Sequence, residues 1–150
     1  MSTKLSQLRN EFISKKELLE NARTTLKKEF IGIDRPIDAI IDNINSWFTL
    51  SEIQERPLVI NLWGLTGVGK TSLINRLIEL IDFQNVFYQF DLGQTEGRNT
   101  ISRSINELCE DSDSHPVIIA LDEFQHSRTI EGPFRTEKED KNRIIWELID

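Results

Sequence analysis

The sequence has little cysteine, little histidine and no long hydrophobic run. Its one cysteine, Cys109, excludes an internal disulfide framework and a cysteine-based zinc site. The longest apolar runs, such as 117–121, fall far below the roughly 20 residues of a transmembrane helix, and the N-terminus lacks the apolar segment of a secretory signal. An excess of basic charge is also missing, because the net charge is −7, which argues against general affinity for nucleic acid. These absences favour a cytoplasmic protein without membrane partners.

What the sequence does contain is a globular composition with two kinds of periodicity. Of its 150 residues, 38 % are hydrophobic and 29 % are charged, the balance of a folded domain. Helical spacing of apolar residues predicts helices over 4–29, 34–48, 70–82, 99–110 and 138–150. Continuous apolar runs predict buried strands over 57–63 and 116–121, and the aromatic and β-branched residues of 85–91 predict another strand. Because strands alternate with helices, the pattern predicts an α/β fold with a mostly parallel sheet, which ends after its third strand.

The N-terminal region, residues 1–29, is predicted to form an amphipathic helical arm in front of a domain over 30–150. Its apolar stripe consists of Leu5, Leu8, Phe12, Leu19, Ala22 and Leu26. Two interpretations are open. The helix packs on its own domain, or it serves as an arm for oligomerisation or for binding a partner.

The segment GLTGVGKT at 64–71 matches the phosphate-loop motif G-x-x-x-x-G-K-[ST] at every fixed position. A loop rich in glycine can turn its backbone N–H groups towards phosphate oxygens, and it leads into a helix N-terminus that favours anions. Lys70 would reach the β- and γ-phosphates and the Thr71 hydroxyl would ligate Mg²⁺. The candidate nucleotide-binding residues here are Gly64, Leu65, Thr66, Gly67, Val68, Gly69, Lys70, Thr71 and Ser72.

Two carboxylates, Asp122 and Glu123, follow the apolar run at 117–121. Ligands of open α/β sheets bind at the carboxyl ends of the strands, which is where these residues are expected to lie. Asp122 is predicted to hold Mg²⁺ through water. Glu123 is predicted to act as the general base that polarises the attacking water, and with Lys70 it forms the candidate catalytic pair.

Residues 30–150 resemble the first half of the nucleotide-binding domain of AAA+ and STAND-type P-loop ATPases. The resemblance is carried by FIGIDRPI at 30–37, GLTGVGKTS at 64–72 and IIALDE at 118–123. It implies a three-layer P-loop fold, ATP or ADP with Mg²⁺ as cofactors, and assembly into a homo-oligomeric ring. It also implies that Ile31 and Gly32 lie beside the adenine.

The N-terminal region is further similar to the large ATPases of bacterial antiphage systems, among them the ATPase subunit of RADAR, which works with an adenosine deaminase. This similarity implies a role in antiviral defence. The polar sensor, the arginine finger and the helical lid of the AAA+ family cannot be placed in the sequence. We therefore expect the 150-residue chain alone to hydrolyse ATP slowly.

Two other functions remain open. A small GTPase has a similar phosphate loop, but here Asp122 is followed by Glu-Phe-Gln at 123–125 where a GTPase has x-x-Gly, and no Asn-Lys-x-Asp string for guanine recognition occurs. A non-catalytic interaction module would use the same scaffold to bind partners through its N-terminal helix. The joint presence of Lys70, Thr71, Asp122 and Glu123 favours a working ATPase site.

Overall fold

The computed structural model describes residues 2–50, 57–65, 67–91, 104, 107–108 and 116–122. The chain divides into two compact units, residues 1–84 and residues 85–150. The elements are helices α1 (Ser2–Glu29), α2 (Asp34–Thr49) and α3 (Lys70–Leu80), a 3-10 helix (Gln84–Val86), and strands β1 (Phe87–Asp91) and β2 (Ile118–Asp122). The fold is therefore mixed, with an N-terminal helix and a small parallel sheet. No helix within the described ranges is long and apolar enough to cross a membrane.

Buried apolar side chains from all three helices form the core of the first unit. They are Leu19, Ala22 and Leu26 of α1, Ile37, Ile40, Ile41, Ile44 and Phe48 of α2, and Leu73, Leu77 and Ile78 of α3, with Ile81 just beyond it. Their spacing of three and four residues places them on one face of each helix. The rings of Trp47 and Phe48 each lie 5.6 Å from the ring of Phe83, which follows α3. The three helices predicted for this unit are confirmed.

Only the C-terminal half of α1 is buried. Leu5 and Leu8 of the predicted stripe are 70 % and 48 % exposed, and Phe12 lies beneath the ammonium of Lys16, 4.9 Å from its ring centroid. Of the two interpretations of this helix, packing on its own domain therefore holds for the second half of the stripe, while the first half is exposed. Length explains the difference, since α1 has 28 residues and spans about 42 Å, while α2 has 16 residues and spans about 24 Å.

The boundaries of α2 and α3 are set by the backbone more than by capping side chains. Ile33 is the N-cap of α2, and no side chain caps this end. At the end of α3, Asp82 has a φ of 60°. The Phe83 N–H donates to the Ile78 carbonyl at 3.0 Å and the Asp82 N–H to the Glu79 carbonyl at 3.2 Å. This pattern is a Schellman motif.

The second unit contains a two-stranded parallel sheet of β1 and β2. The register runs from Phe87 opposite Ile118 to Asp91 opposite Asp122. Both strands and their parallel pairing agree with the sequence prediction. Ser104, Glu107 and Leu108, which belong to the predicted helix over 99–110, are helical. The helix predicted over 138–150 lies outside the described residues.

The strand predicted over 57–63 is not formed. Residues 57–65 have an irregular backbone, and the side chains of Leu58, Val59 and Ile60 are between 37 % and 46 % exposed. A strand exists only where a neighbouring backbone takes up its N–H and C=O groups. Among the described residues, β1 pairs with β2 alone. An apolar run supplies the side chains of a buried strand but not its partner.

Candidate phosphate-binding site

Two glycines give the loop before α3 its shape. Gly67 has a φ of +81° and Gly69 a φ of +86°, the left-handed region in which residues with a side chain are disfavoured. A Cβ built at either position meets no atom within 4 Å, so the requirement comes from the backbone conformation and not from lack of space. The fixed glycine at the sixth position of the motif is thus Gly69, the N-cap of α3.

The loop ends at the N-terminus of α3. Lys70 is the first residue of this helix, and the first intrahelical bond runs from the Leu73 N–H to the Gly69 carbonyl at 2.9 Å. Gly69 has no side chain to accept from the first-turn N–H groups, and this turn contains no acidic residue. A helix N-terminus with these properties attracts anions. Thr71 and Ser72 are exposed on the same turn.

The ammonium of Lys70 folds back over the loop. Its Nζ donates to the carbonyl oxygen of Gly64 at 3.0 Å and to that of Leu65 at 2.8 Å. A positive charge is thereby held over the first two residues of the loop. The last glycine of the loop, Gly69, is the N-cap of α3. Neutral carbonyls are weaker partners for an ammonium than an anionic phosphate oxygen, so a phosphate would compete well for this donor.

Apolar side chains surround the loop on the outside. Trp63 is 79 % exposed and Leu65 is 80 % exposed, and Val68 is exposed as well. Trp63 directly precedes Gly64 in the sequence, so its fluorescence can report on events in the loop. Thr66 lies outside the described residues.

The turn between α1 and α2 contains the two residues expected beside the adenine. Ile31 is 84 % exposed, and Gly32 has a φ of +87°. The turn is anchored at both sides. The Phe30 N–H donates to the Leu26 carbonyl at 2.8 Å, and the Ile37 N–H donates to the Ile33 carbonyl at 3.1 Å. An exposed isoleucine on an anchored turn offers an apolar surface to a flat ligand.

Ion pairs fix the two helices that flank this turn. Arg23 donates to Asp38 at 2.8 Å and to Asp42 at 2.6 Å, and Lys27 donates to the other oxygen of Asp38 at 2.8 Å. The two cations beside it lower the pKa of Asp38, with the hydrogen bond from Lys27 as the largest cause and that from Arg23 next. The hydrogen bonds to Asp42 and to Asp38 raise the pKa of Arg23. Its Nε is buried and makes no hydrogen bond.

A further ion pair joins α3 to the end of α1. Arg76 donates from Nε to Oε2 of Glu29 at 2.8 Å and from Nη2 to Oε1 at 2.9 Å, while its Nη1 donates to Glu79 at 2.6 Å. The bond from Arg76 lowers the pKa of Glu29. Sequence reasoning missed both partners, because nothing local marks a pair that is 47 residues apart.

Asp122 ends β2 in the second unit, in register with Asp91 at the end of β1. Strand neighbours in a sheet lie about 4.8 Å apart, so two carboxylates share this carboxyl end. Gln89, on the same face two residues before Asp91, donates to Oδ2 of Asp122 at 3.3 Å.

Within the described ranges no three His, Cys, Asp or Glu residues group as a metal site. Mg²⁺ commonly takes one or two carboxylates together with substrate phosphates. Glu123 lies outside the described residues.

The structure thus brings Lys70 onto Gly64 and Leu65, and it places Ile31 and Gly32 in the same unit, on a turn next to the ion-paired end of α1. Asp122 belongs to the other unit. Comparisons with protein-family models, curated proteins and solved structures found no match for this chain.

Proposed function

We propose that the chain binds ATP or ADP with Mg²⁺ through residues 64–72 and is the ATP-hydrolysing module of a P-loop ATPase of the AAA+ or STAND type. The observation that carries the proposal is the Lys70 ammonium. It lies over a loop whose left-handed glycines open into a helix N-terminus. An ammonium, a helix N-terminus and a flexible glycine backbone are the groups that bind polyphosphate.

Within this proposal each residue has one task. Lys70 binds the β- and γ-phosphates, the Thr71 hydroxyl and Asp122 hold Mg²⁺, and Glu123 removes a proton from the attacking water. Bound Mg²⁺ would neutralise charge on the phosphates. Ile31 and Gly32 provide the surface beside the base. The proposed parent fold is the three-layer P-loop fold.

Nucleotide binding is tested by Lys70→Ala. We expect affinity for ATP to fall about 10- to 150-fold, because one charge-assisted contact to phosphate is lost. Isothermal titration calorimetry with ATP, ADP and GTP measures this and also separates an ATPase from a GTPase. The matched control is Lys28→Ala, which removes one exposed lysine from α1 and should leave affinity unchanged. Equal affinities of the Lys70→Ala variant and the parent chain would refute the assignment.

Hydrolysis is tested by Glu123→Gln in a hydrolysis-competent parent assembly, because the chain alone is expected to hydrolyse ATP slowly. The amide keeps the shape of the side chain but cannot accept the proton, so phosphate release should fall about 10²- to 10⁴-fold while ATP binding is retained. Steady-state phosphate release and calorimetry on the same sample measure the two effects. A variant that turns over as fast as the parent chain would show that Glu123 is not the base.

A non-catalytic interaction module is the second candidate. The exposed side chains of Leu5, Leu8 and Ile13 on the first half of α1 favour it, because clustered exposed apolar side chains often mark a protein-binding surface.

The resemblance to antiphage ATPases extends the first proposal to a homo-oligomeric ring and to a partner such as an adenosine deaminase. Light scattering with and without Mg-ATP tests whether nucleotide drives assembly.

A further inference from the structure

Glu29 and Arg76 connect the end of α1, next to the Ile31–Gly32 turn, to helix α3, which follows the phosphate loop. The proposed function assigns the turn to the base of a nucleotide and the loop to its phosphates. Arg76 follows Lys70 by six residues on α3, which is about 9 Å of helix. Glu29 is the last residue of α1, two residues before Ile31. The two bonds between them, 2.8 and 2.9 Å long, form a bidentate pair. Such a pair fixes orientation as well as distance.

The position of Glu29 is unfavourable for an acid on its own. It stands at the C-terminus of a helix, where the helix dipole favours cations, and Lys27 and Lys28 occupy the same last turn. The Arg76 guanidinium offsets this disadvantage. The acid at this end of α1 is therefore explained by its partner on α3 and not by the helix that carries it.

The turn that follows Glu29 is bonded to the end of α1, because the Phe30 N–H donates to the Leu26 carbonyl. Arg23 and Lys27 tie α1 to Asp38 and Asp42 on α2, so the helices on both sides of the turn are joined to each other. Arg76 then joins this pair of helices to α3. A force or ligand that displaces α3 along α1 must break the Glu29–Arg76 bridge first.

We propose that Glu29 and Arg76 are positioning residues that hold the Ile31–Gly32 turn at a fixed place relative to the phosphate loop, and so set the preference for a nucleoside triphosphate over inorganic tripolyphosphate. This inference rests on the proposed nucleotide binding. A ligand that contacts two surfaces binds more tightly when their spacing is fixed in advance, because less freedom is lost on binding. Inorganic tripolyphosphate touches the loop alone and gains nothing from the spacing.

The test compares affinities for ATP and for inorganic tripolyphosphate by calorimetry on the full chain. In Glu29→Gln and Arg76→Gln we expect ATP affinity to fall about 2- to 10-fold, while tripolyphosphate affinity stays the same. The exchanged pair Glu29→Arg with Arg76→Glu, made together with Glu79→Gln so that the new carboxylate does not face another one, should restore the bridge and recover ATP affinity. Glu79→Gln is the matched control, because it removes the other partner of Arg76 and leaves the bridge to Glu29 in place.

The outcomes separate the two proposals. If the parent chain binds neither ATP nor tripolyphosphate, the proposed function fails and this inference fails with it. If the parent chain binds both but the single variants weaken both ligands equally, nucleotide binding stands and the positioning role is refuted. Failure of the exchanged pair to recover ATP affinity, with its circular dichroism spectrum intact, would also refute it.

Discussion

The two units of the chain differ in how completely they bury their apolar side chains. In residues 1–84, three helices share a core of apolar side chains that are at most 8 % exposed. In the described part of residues 85–150, β1 and β2 are half-buried apart from the exposed Gln89. A helix satisfies its backbone within itself and needs only one covered face. Two strands leave two edges and two faces to be covered. Among the described residues, the helices therefore bury their apolar side chains more completely than the two strands do.

The proposed chemistry is divided in the same way. The groups proposed to bind phosphate and base, Lys70 and Ile31, belong to the helical unit, while Asp122 ends a strand of the other unit. Nucleotide binding is thus proposed for the helical unit, and Mg²⁺ binding by Asp122 for the unit that contains the sheet. Variants in each unit can test both the packing and this division.

The largest effect is expected from truncating a core side chain of the helical unit. Ile41 is 1 % exposed, so Ile41→Ala should lower the free energy of unfolding by about 2–5 kcal/mol. The half-buried Ile119 of β2 is the counterpart, and Ile119→Ala should cost about 1–2 kcal/mol. Urea denaturation followed by circular dichroism measures both. If Ile119→Ala costs as much as Ile41→Ala, the contrast in packing does not hold.

A smaller effect, on binding, is expected from Asp122→Ala. Affinity for Mg-ATP should fall about tenfold, the lower end for loss of one charged contact, while affinity for ATP in the presence of excess EDTA should not change. Lys70→Ala provides the contrast, since it should weaken ATP with and without Mg²⁺. If Asp122→Ala weakens metal-free ATP as strongly as Mg-ATP, the carboxylate is structural and the division between the units is wrong.

The smallest effect is expected from acid. Lys27 and Arg23 hold the pKa of Asp38 below its ordinary value, so its contribution to stability is complete above the unfolded pKa of about 4 and is lost as the pH falls through the lower folded pKa. Asp38→Asn should therefore reduce stability at pH 7 and leave it nearly unchanged at the acid end of the range. Thermal denaturation from pH 7 down to pH 2 measures the difference. A constant difference between variant and parent chain across this range would show that the ion pairs do not couple to folding.

Local features of this fold could be predicted from the sequence, and those that depend on distant partners could not. The helix after the phosphate loop follows from the spacing of Leu73, Leu77 and Ile78, since helical hydrogen bonds close within four residues. The irregular backbone over 57–63 could not be foreseen, because strand formation depends on a partner elsewhere in the chain.

The candidate site shows the same limit. The motif predicted a glycine-rich loop and the place of Lys70 at the helix start, because both are properties of a short segment. The motif contains no information on the carbonyls that Lys70 contacts. It also gives no sign of Arg76, whose partner on α1 is set by how the helices pack. The sequence left open whether Leu5 and Leu8 are buried, because helical periodicity identifies the apolar face of a helix but not what covers that face.

The contacts of Lys70 also bear on how tightly any phosphate can bind. Its ammonium already has two oxygen partners within the chain, so binding of a phosphate exchanges one set of oxygens for another and does not simply add new bonds. The carbonyls of Gly64 and Leu65 must then be satisfied by water or by a small monovalent cation. The affinity for phosphate is therefore the difference in free energy between Lys70 bonded to phosphate and Lys70 bonded to these two carbonyls. Because a monovalent cation can take the place of Lys70 at the carbonyls, the choice of salt can change the measured affinity.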